Sequence, residues 1–114
     1  MIRMNVLYPG ASGARFDHAY YRDKHMPMVA ERLGSACLYY TIDKGVAGGA
    51  PGSPSPYLAS CSFTCESAES LQQALGKHGK EIMGDVPNYT DAQPVIWISQ
   101  VVVEKADTAP HLAL

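Results

Sequence analysis

Apolar and polar residues alternate over positions 2–8, placing Ile2, Met4, Val6 and Tyr8 on one side. A period of two marks a half-buried strand. Pro9-Gly10 and the small residues up to Gly13 interrupt it. From Phe16 to Leu33 the spacing turns helical, with Phe16, Ala19, Tyr20, Met26, Ala30 and Leu33 forming one apolar stripe. Residues 37–43 are aromatic and β-branched and predict a second strand; residues 57–63 predict a third. Between them, positions 45–56 are rich in Gly, Pro and Ser, which predicts a flexible loop serving as a cover or a spacer. Ser67 suits a helix N-cap, and Ala68, Leu71, Leu75, His78 and Ile82 recur at helical steps up to Gly84. A turn-rich connector, 85–91, leads through Pro94 into a last strand predicted over 95–104.

The order β-α-β-β-α-β predicts an α+β, ferredoxin-like domain: a four-stranded antiparallel sheet with two helices on one face. It forms a single unit over residues 1–104, and 105–114 is a short Pro-interrupted tail. The last strand carries apolar residues on both sides, Val95, Trp97, Val101 and Val103 against Ile96, Ile98 and Val102. Helices cover one face only, so the other face calls for a second sheet, most simply that of an identical subunit. A homodimer packed sheet to sheet is the expectation; an edge strand that merely carries apolar residues is the plainer alternative.

Composition narrows the function classes. With 114 residues, 46% hydrophobic and 18% charged, the chain suits one globular domain. Nine Lys+Arg against 11 Asp+Glu leave a formal charge of −2, which argues against a nucleic-acid partner. No apolar run approaches the ~20 residues of a membrane span, and the N-terminus has no signal-peptide pattern. Three cysteines then read as reduced thiols in a cytoplasmic protein.

The first predicted helix has a second stripe opposite the apolar one: His18, Tyr21, His25, Val29 and Arg32. Pro27 lacks an N–H and disfavours helical angles at Met26, so a break is expected beside His25. Such a break aims an imidazole inward and leaves a carbonyl free to hold one ring N–H. The plain alternative makes both histidines surface residues. His78 falls on the buried stripe of the second helix, as a rim residue or a site member. Cys61 and Cys65 read as small buried hydrophobes, Cys61 becoming a nucleophile only beside a His or Arg. Tyr39 and Tyr40 point to opposite faces, and one of them lines the space between sheet and helices. No Cys-x-x-Cys or His-x-x-x-His occurs, so no metal site is expected; no phosphate-loop, flavin, nicotinamide or heme signature occurs, so no cofactor is.

The segment Phe16-Asp17-His18-Ala19-Tyr20-Tyr21-Arg22-Asp23-Lys24-His25-Met26-Pro27 resembles the Phe-Asp-x-x-Tyr-Tyr-x-x-x-His-x-Pro segment of EthD-family proteins. Asp85-Val86-Pro87-Asn88-Tyr89-Thr90, followed by Pro94-Val95, resembles that family's entry into its final strand. The resemblance implies a dimeric α+β barrel and an association with breakdown of ethyl tert-butyl ether and other small organic compounds, often under an oxidoreductase label. It carries over His25 as a site residue, with Tyr21 and Asp17 as neighbours.

Three functions follow as expectations. The first is cofactor-free proton transfer on a small apolar or aromatic molecule, of isomerase or lyase type. His25 is the acid–base group there, Tyr39 or Tyr40 steadies an enolate, and Asp17, Tyr21, Cys61 and His78 contribute to binding. The second is an oxidoreductase, or accessory to an oxygenase, without a bound cofactor. The third is a non-catalytic carrier or scavenger of an apolar metabolite.

Overall fold

The computed structural model of the chain describes residues 1–10 and 14–105. The expected C-terminal tail lies outside the described residues except for Lys105, as does part of the break after the first strand. Four strands form one sheet: β1 (Ile2–Pro9), β2 (Cys37–Lys44), β3 (Tyr57–Cys65) and β4 (Val95–Gln100). Their spatial order is β2-β3-β1-β4, with every neighbouring pair antiparallel. The helical layer comprises α1 (His18–Tyr20), a π turn (Tyr21–His25), α2 (Met26–Leu33) and α3 (Ala68–Gly84). This is the ferredoxin-like α+β fold that the alternation of periods predicts.

Register divides the sheet into two unlike faces. Met4 lies opposite Phe63 and Ile98, and Val6 opposite Cys61 and Ile96; these face the helices. Arg3, Asn5 and Leu7 sit opposite Thr64, Ser62 and Ser60 on the other face. That face is more polar than the last strand alone suggested. Its large apolar groups cluster at the β4 side, where Val95 and Trp97 are 53% and 55% exposed. β4 is also shorter than predicted and ends at Gln100. Beyond it the chain turns across the end of the open face, where Glu104 pairs with Arg3 at 2.9 Å and accepts from the Tyr39 hydroxyl at 2.7 Å.

The predicted flexible loop is a hairpin with its own backbone bonds. Gly45 N–H donates to Leu58 O (3.0 Å) and Gly48 N–H to Ser53 O (2.9 Å). A Cβ on Gly45 would collide with the Tyr57 carbonyl oxygen, so that close approach requires glycine.

The helices begin and end on local chemistry. Ser67 caps α3, its Oγ accepting from Ser70 N–H at 3.1 Å, and Asp17 caps α1 by accepting from Tyr20 N–H at 3.0 Å. Gly34, at φ +56°, terminates α2 in a conformation that L side chains resist. In the middle of α3, Gly76 is exposed and has open space around its Cα. Gly76→Ala is therefore expected to raise unfolding free energy by about 0.5–1 kcal/mol, measured by urea denaturation.

Candidate functional site

The expected break at Pro27 takes a different form. Met26 keeps helical angles (φ −65°, ψ −41°), and the chain widens just before the proline into a π turn whose closing bond runs from Met26 N–H to Tyr21 O. The extra residue per turn gives the proline ring room without ending the helix. It also changes which side chains share a face. On a regular helix Tyr21 and Met26 would lie about 140° apart. Here Tyr21, His25, Met26 and Val29 are all buried in the core, so the two predicted stripes merge and the histidine stripe becomes the inner face.

Between this face and the sheet lies a cavity of about 250 Å³. Met4, Val6, Tyr8, Cys61 and Phe63 form its floor. Tyr21, His25, Met26 and Val29 form one wall, and Leu75, Gly79, Ile82 and Met83 of α3 form another. Met83 and Ile96 are both near half exposed, which sets the mouth between α3 and the β4 edge.

His25 is 3% exposed. Its Nδ1 lies 2.8 Å from Oδ2 of Asp85, the residue that follows α3. The other oxygen of Asp85 accepts from the Tyr20 hydroxyl (2.8 Å) and from Asn88 Nδ2 (2.8 Å). Burial pushes the Asp85 carboxyl upward, but the bonds from His25, Asn88 and Tyr20 outweigh it and leave its pKa below the ordinary value. An ionised carboxylate only accepts, so His25 Nδ1 carries the proton and the lone pair sits on Nε2. Burial holds the imidazole below its usual pKa of 6.5, with the Asp85 bond opposing without prevailing. The result is a neutral, oriented imidazole whose Nε2 makes no hydrogen bond among the described residues.

An aromatic cluster fixes this arrangement. The Tyr21 ring stacks on His25 with centroids 5.5 Å apart, and Tyr89 packs at 4.7 Å from the same imidazole. Tyr8 and Tyr89 share a buried hydrogen bond of 2.6 Å. Asp17 N–H donates to Tyr89 O (2.8 Å), and the Thr90 hydroxyl to Arg15 O (2.7 Å). The segments before α1 and after α3 are thereby tied together under the site.

Of the residues singled out from the sequence, His25, Tyr21 and Cys61 line the cavity. Burial pushes the Cys61 thiol up to about 12, which makes it apolar lining rather than a nucleophile. Tyr39 is displaced from its expected place: it is 41% exposed on the open face and bonded to Glu104, with the sheet between it and the cavity. Tyr40 faces the helices but stacks on Phe63, centroids 5.8 Å apart, outside the cavity lining. Asp17 is the α1 cap, and His78 is half-buried near Glu81 on another side of α3. The free carbonyl expected to hold His25 is replaced by the Asp85 carboxylate. Asp85 and Tyr89 stand in the second resembling segment, where nothing local gives them a role; their position beside the histidine is a product of folding. No group of three or more potential metal ligands occurs among the described residues.

The EthD domain model matches residues 9–93. An EthD-like protein from Ralstonia eutropha JMP134 is 59% identical, with 92% of this chain and 95% of that chain covered and a TM-score of 0.87. An ethyl tert-butyl ether degradation (EthD) family protein from Bacillus halodurans C-125 is 20% identical, covering 88% of this chain and 97% of that one at a TM-score of 0.66. A protein from Arabidopsis thaliana shares the fold at 12% identity and a TM-score of 0.64, covering 93% of this chain and 100% of that one. No curated protein matches the chain. The domain match over most of the sequence, with a highly identical relative of the same fold, means that the chain belongs to the EthD family.

Proposed function

We propose that the protein binds a small apolar or aromatic molecule in the cavity and carries out proton transfer there, with His25 as general base and Asp85 as its positioning residue. The observation that carries this reading is the 2.8 Å Nδ1–Asp85 bond on a histidine that lines an apolar cavity. It leaves a basic Nε2 of fixed tautomer, neutral at physiological pH, where a weakly acidic C–H or O–H can meet it. A second reading, a carrier without turnover, is favoured by the almost wholly apolar lining. The family resemblance fits either role within breakdown of organic compounds. For the assembly, we propose a homodimer in which the open sheet faces meet over Val95 and Trp97.

Incubation with cyclic ketones, lactones and phenols in D₂O, followed by proton NMR, tests the catalytic reading. The wild type is expected to speed exchange of ionisable C–H groups, and His25→Gln to reduce that rate by about 10²–10⁴-fold. Asp85→Asn is expected to lower it too, because an amide does not fix the tautomer. Equal exchange in wild type and His25→Gln would remove His25 from the reaction, and binding without exchange would favour the carrier.

Stability should follow the same proton. The native His25 is held below 6.5, so between its folded pKa and 6.5 the unfolded chain binds more protons and stability rises with pH. Thermal melts are therefore expected to drop as pH falls from about 7.5 to about 5, and less steeply in His25→Gln. His18, lowered in the same direction by burial and by Lys44, adds to the slope that remains.

Light scattering is expected to show a particle of twice 12.3 kDa, and Trp97→Glu to halve it. A wild-type particle of 12.3 kDa at micromolar protein would rule the dimer out.

A further inference from the structure

The Tyr21 hydroxyl is the one buried side-chain nitrogen or oxygen without a hydrogen-bond partner among the described residues. Tyr21 is 1% exposed and lines the cavity. A buried hydroxyl left unpaired is costly, so each instance asks for an explanation. Its neighbours do not supply a partner. The Tyr8 hydroxyl lies close by but is bonded to Tyr89 and makes no bond of proper geometry with Tyr21, and Tyr20 donates to Asp85. The Cys61 thiol beside it is a weak acceptor and lies outside hydrogen-bond geometry.

Nor can the ring turn away to find one. It packs edge-on against Tyr8 and Phe16, centroids 5.4 and 5.1 Å away, and lies nearly parallel to His25 at 14°. A bridging water needs about two to four polar partners. Here the lining is almost wholly apolar, so a water would find too few partners. The phenol stays protonated, since burial raises its pKa far above the ordinary tyrosine range. It is therefore a donor waiting for an acceptor. No lysine or arginine lines the cavity, so nothing there compensates an anion.

We propose that the Tyr21 hydroxyl is the hydrogen-bond donor to the ligand, and that the ligand class is neutral, apolar, enolisable carbonyl compounds such as ketones and lactones. This rests on the proton-transfer reading for the chemistry but not for binding. With its oxygen on Tyr21, a carbonyl compound presents the adjacent carbon toward the stacked imidazole. The C–H bond breaks, its proton passes to Nε2, and the electron pair moves onto the oxygen that Tyr21 holds. Reprotonation at carbon restores His25, so no oxidant or reductant takes part.

Binding of cyclohexanone, methylenecyclohexane and cyclohexanecarboxylate to the full chain, followed by ligand-observed NMR, provides the test. Tyr21→Phe is expected to weaken cyclohexanone about tenfold while leaving methylenecyclohexane unchanged or tighter. Cyclohexanecarboxylate is expected to bind the wild type more weakly than the ketone. In the infrared, the ketone stretch is expected to fall on binding to the wild type and to keep its unbonded value in Tyr21→Phe. Without ligand, Tyr21→Phe should melt at the same temperature or higher, because it removes an unpaired hydroxyl. Equal losses for ketone and hydrocarbon, a tighter carboxylate, an unshifted wild-type carbonyl, or a melting point several degrees lower would each overturn the assignment. His25→Gln separates the two proposals: loss of exchange with ketone preference retained leaves Tyr21 as the donor. Normal wild-type exchange with no ketone preference removes Tyr21 and leaves His25.

Discussion

A carboxylate at the end of one helix grips an imidazole in the middle of another, and the architecture of the site follows from that contact. Asp85 lies 60 residues from His25 in the chain, yet their polar atoms are 2.8 Å apart. Three donors satisfy the carboxylate, so it remains charged although partly buried, and a charged acceptor dictates which ring nitrogen holds the proton. The opposite nitrogen then carries the lone pair and makes no hydrogen bond among the described residues. Each half of the fold supplies one member of the pair, so the site exists only once both have docked on the sheet.

The π turn is what brings the histidine to that meeting. A regular helix through Tyr21–His25 would turn Tyr21 and Met26 to different sides, and the phenol and the imidazole would not both face the core alongside the methionine. Proline at the next turn removes a donor that a regular ladder would need, and the widened turn accommodates the loss. Tyr21 then stacks on the imidazole and Tyr89 tilts against it, while Tyr8 and Phe16 pack edge to face on these tyrosines. Such contacts hold the rings in place with little rotational freedom, which suits a small cavity better than loose aliphatic packing would.

The two faces of the sheet show how far patterning can be trusted. On β1 and β3, strict alternation sorted apolar from polar residues, and the register of the sheet preserved the sorting. On β4 both faces are apolar: Ile96 borders the cavity mouth and Trp97 lies on the open face. Tyr39 illustrates the cost of a single residue of register. A bulge between Cys37 and Tyr39 and the pairing of Tyr39 with Thr64 put its hydroxyl on the open face, whereas Tyr40 beside it faces the helices.

Sequence by itself determined the order of elements, the capping of α3 by Ser67, the inward face of β1 and the importance of the segment around His25, because these depend on period and local chemistry. It also contained Asp85 and Tyr89, inside a stretch with a family resemblance, but nothing local assigns a carboxylate to a histidine sixty residues earlier. Tertiary structure alone decided that pairing, the merging of two helical stripes into one inner face, the folding of the 45–56 segment into a bonded hairpin, and the isolation of the Tyr21 hydroxyl. The pairing and the isolated hydroxyl depend on contacts between segments distant in the chain, whereas the hairpin and the merged stripes depend on backbone bonds that a pattern of apolar and polar positions does not record.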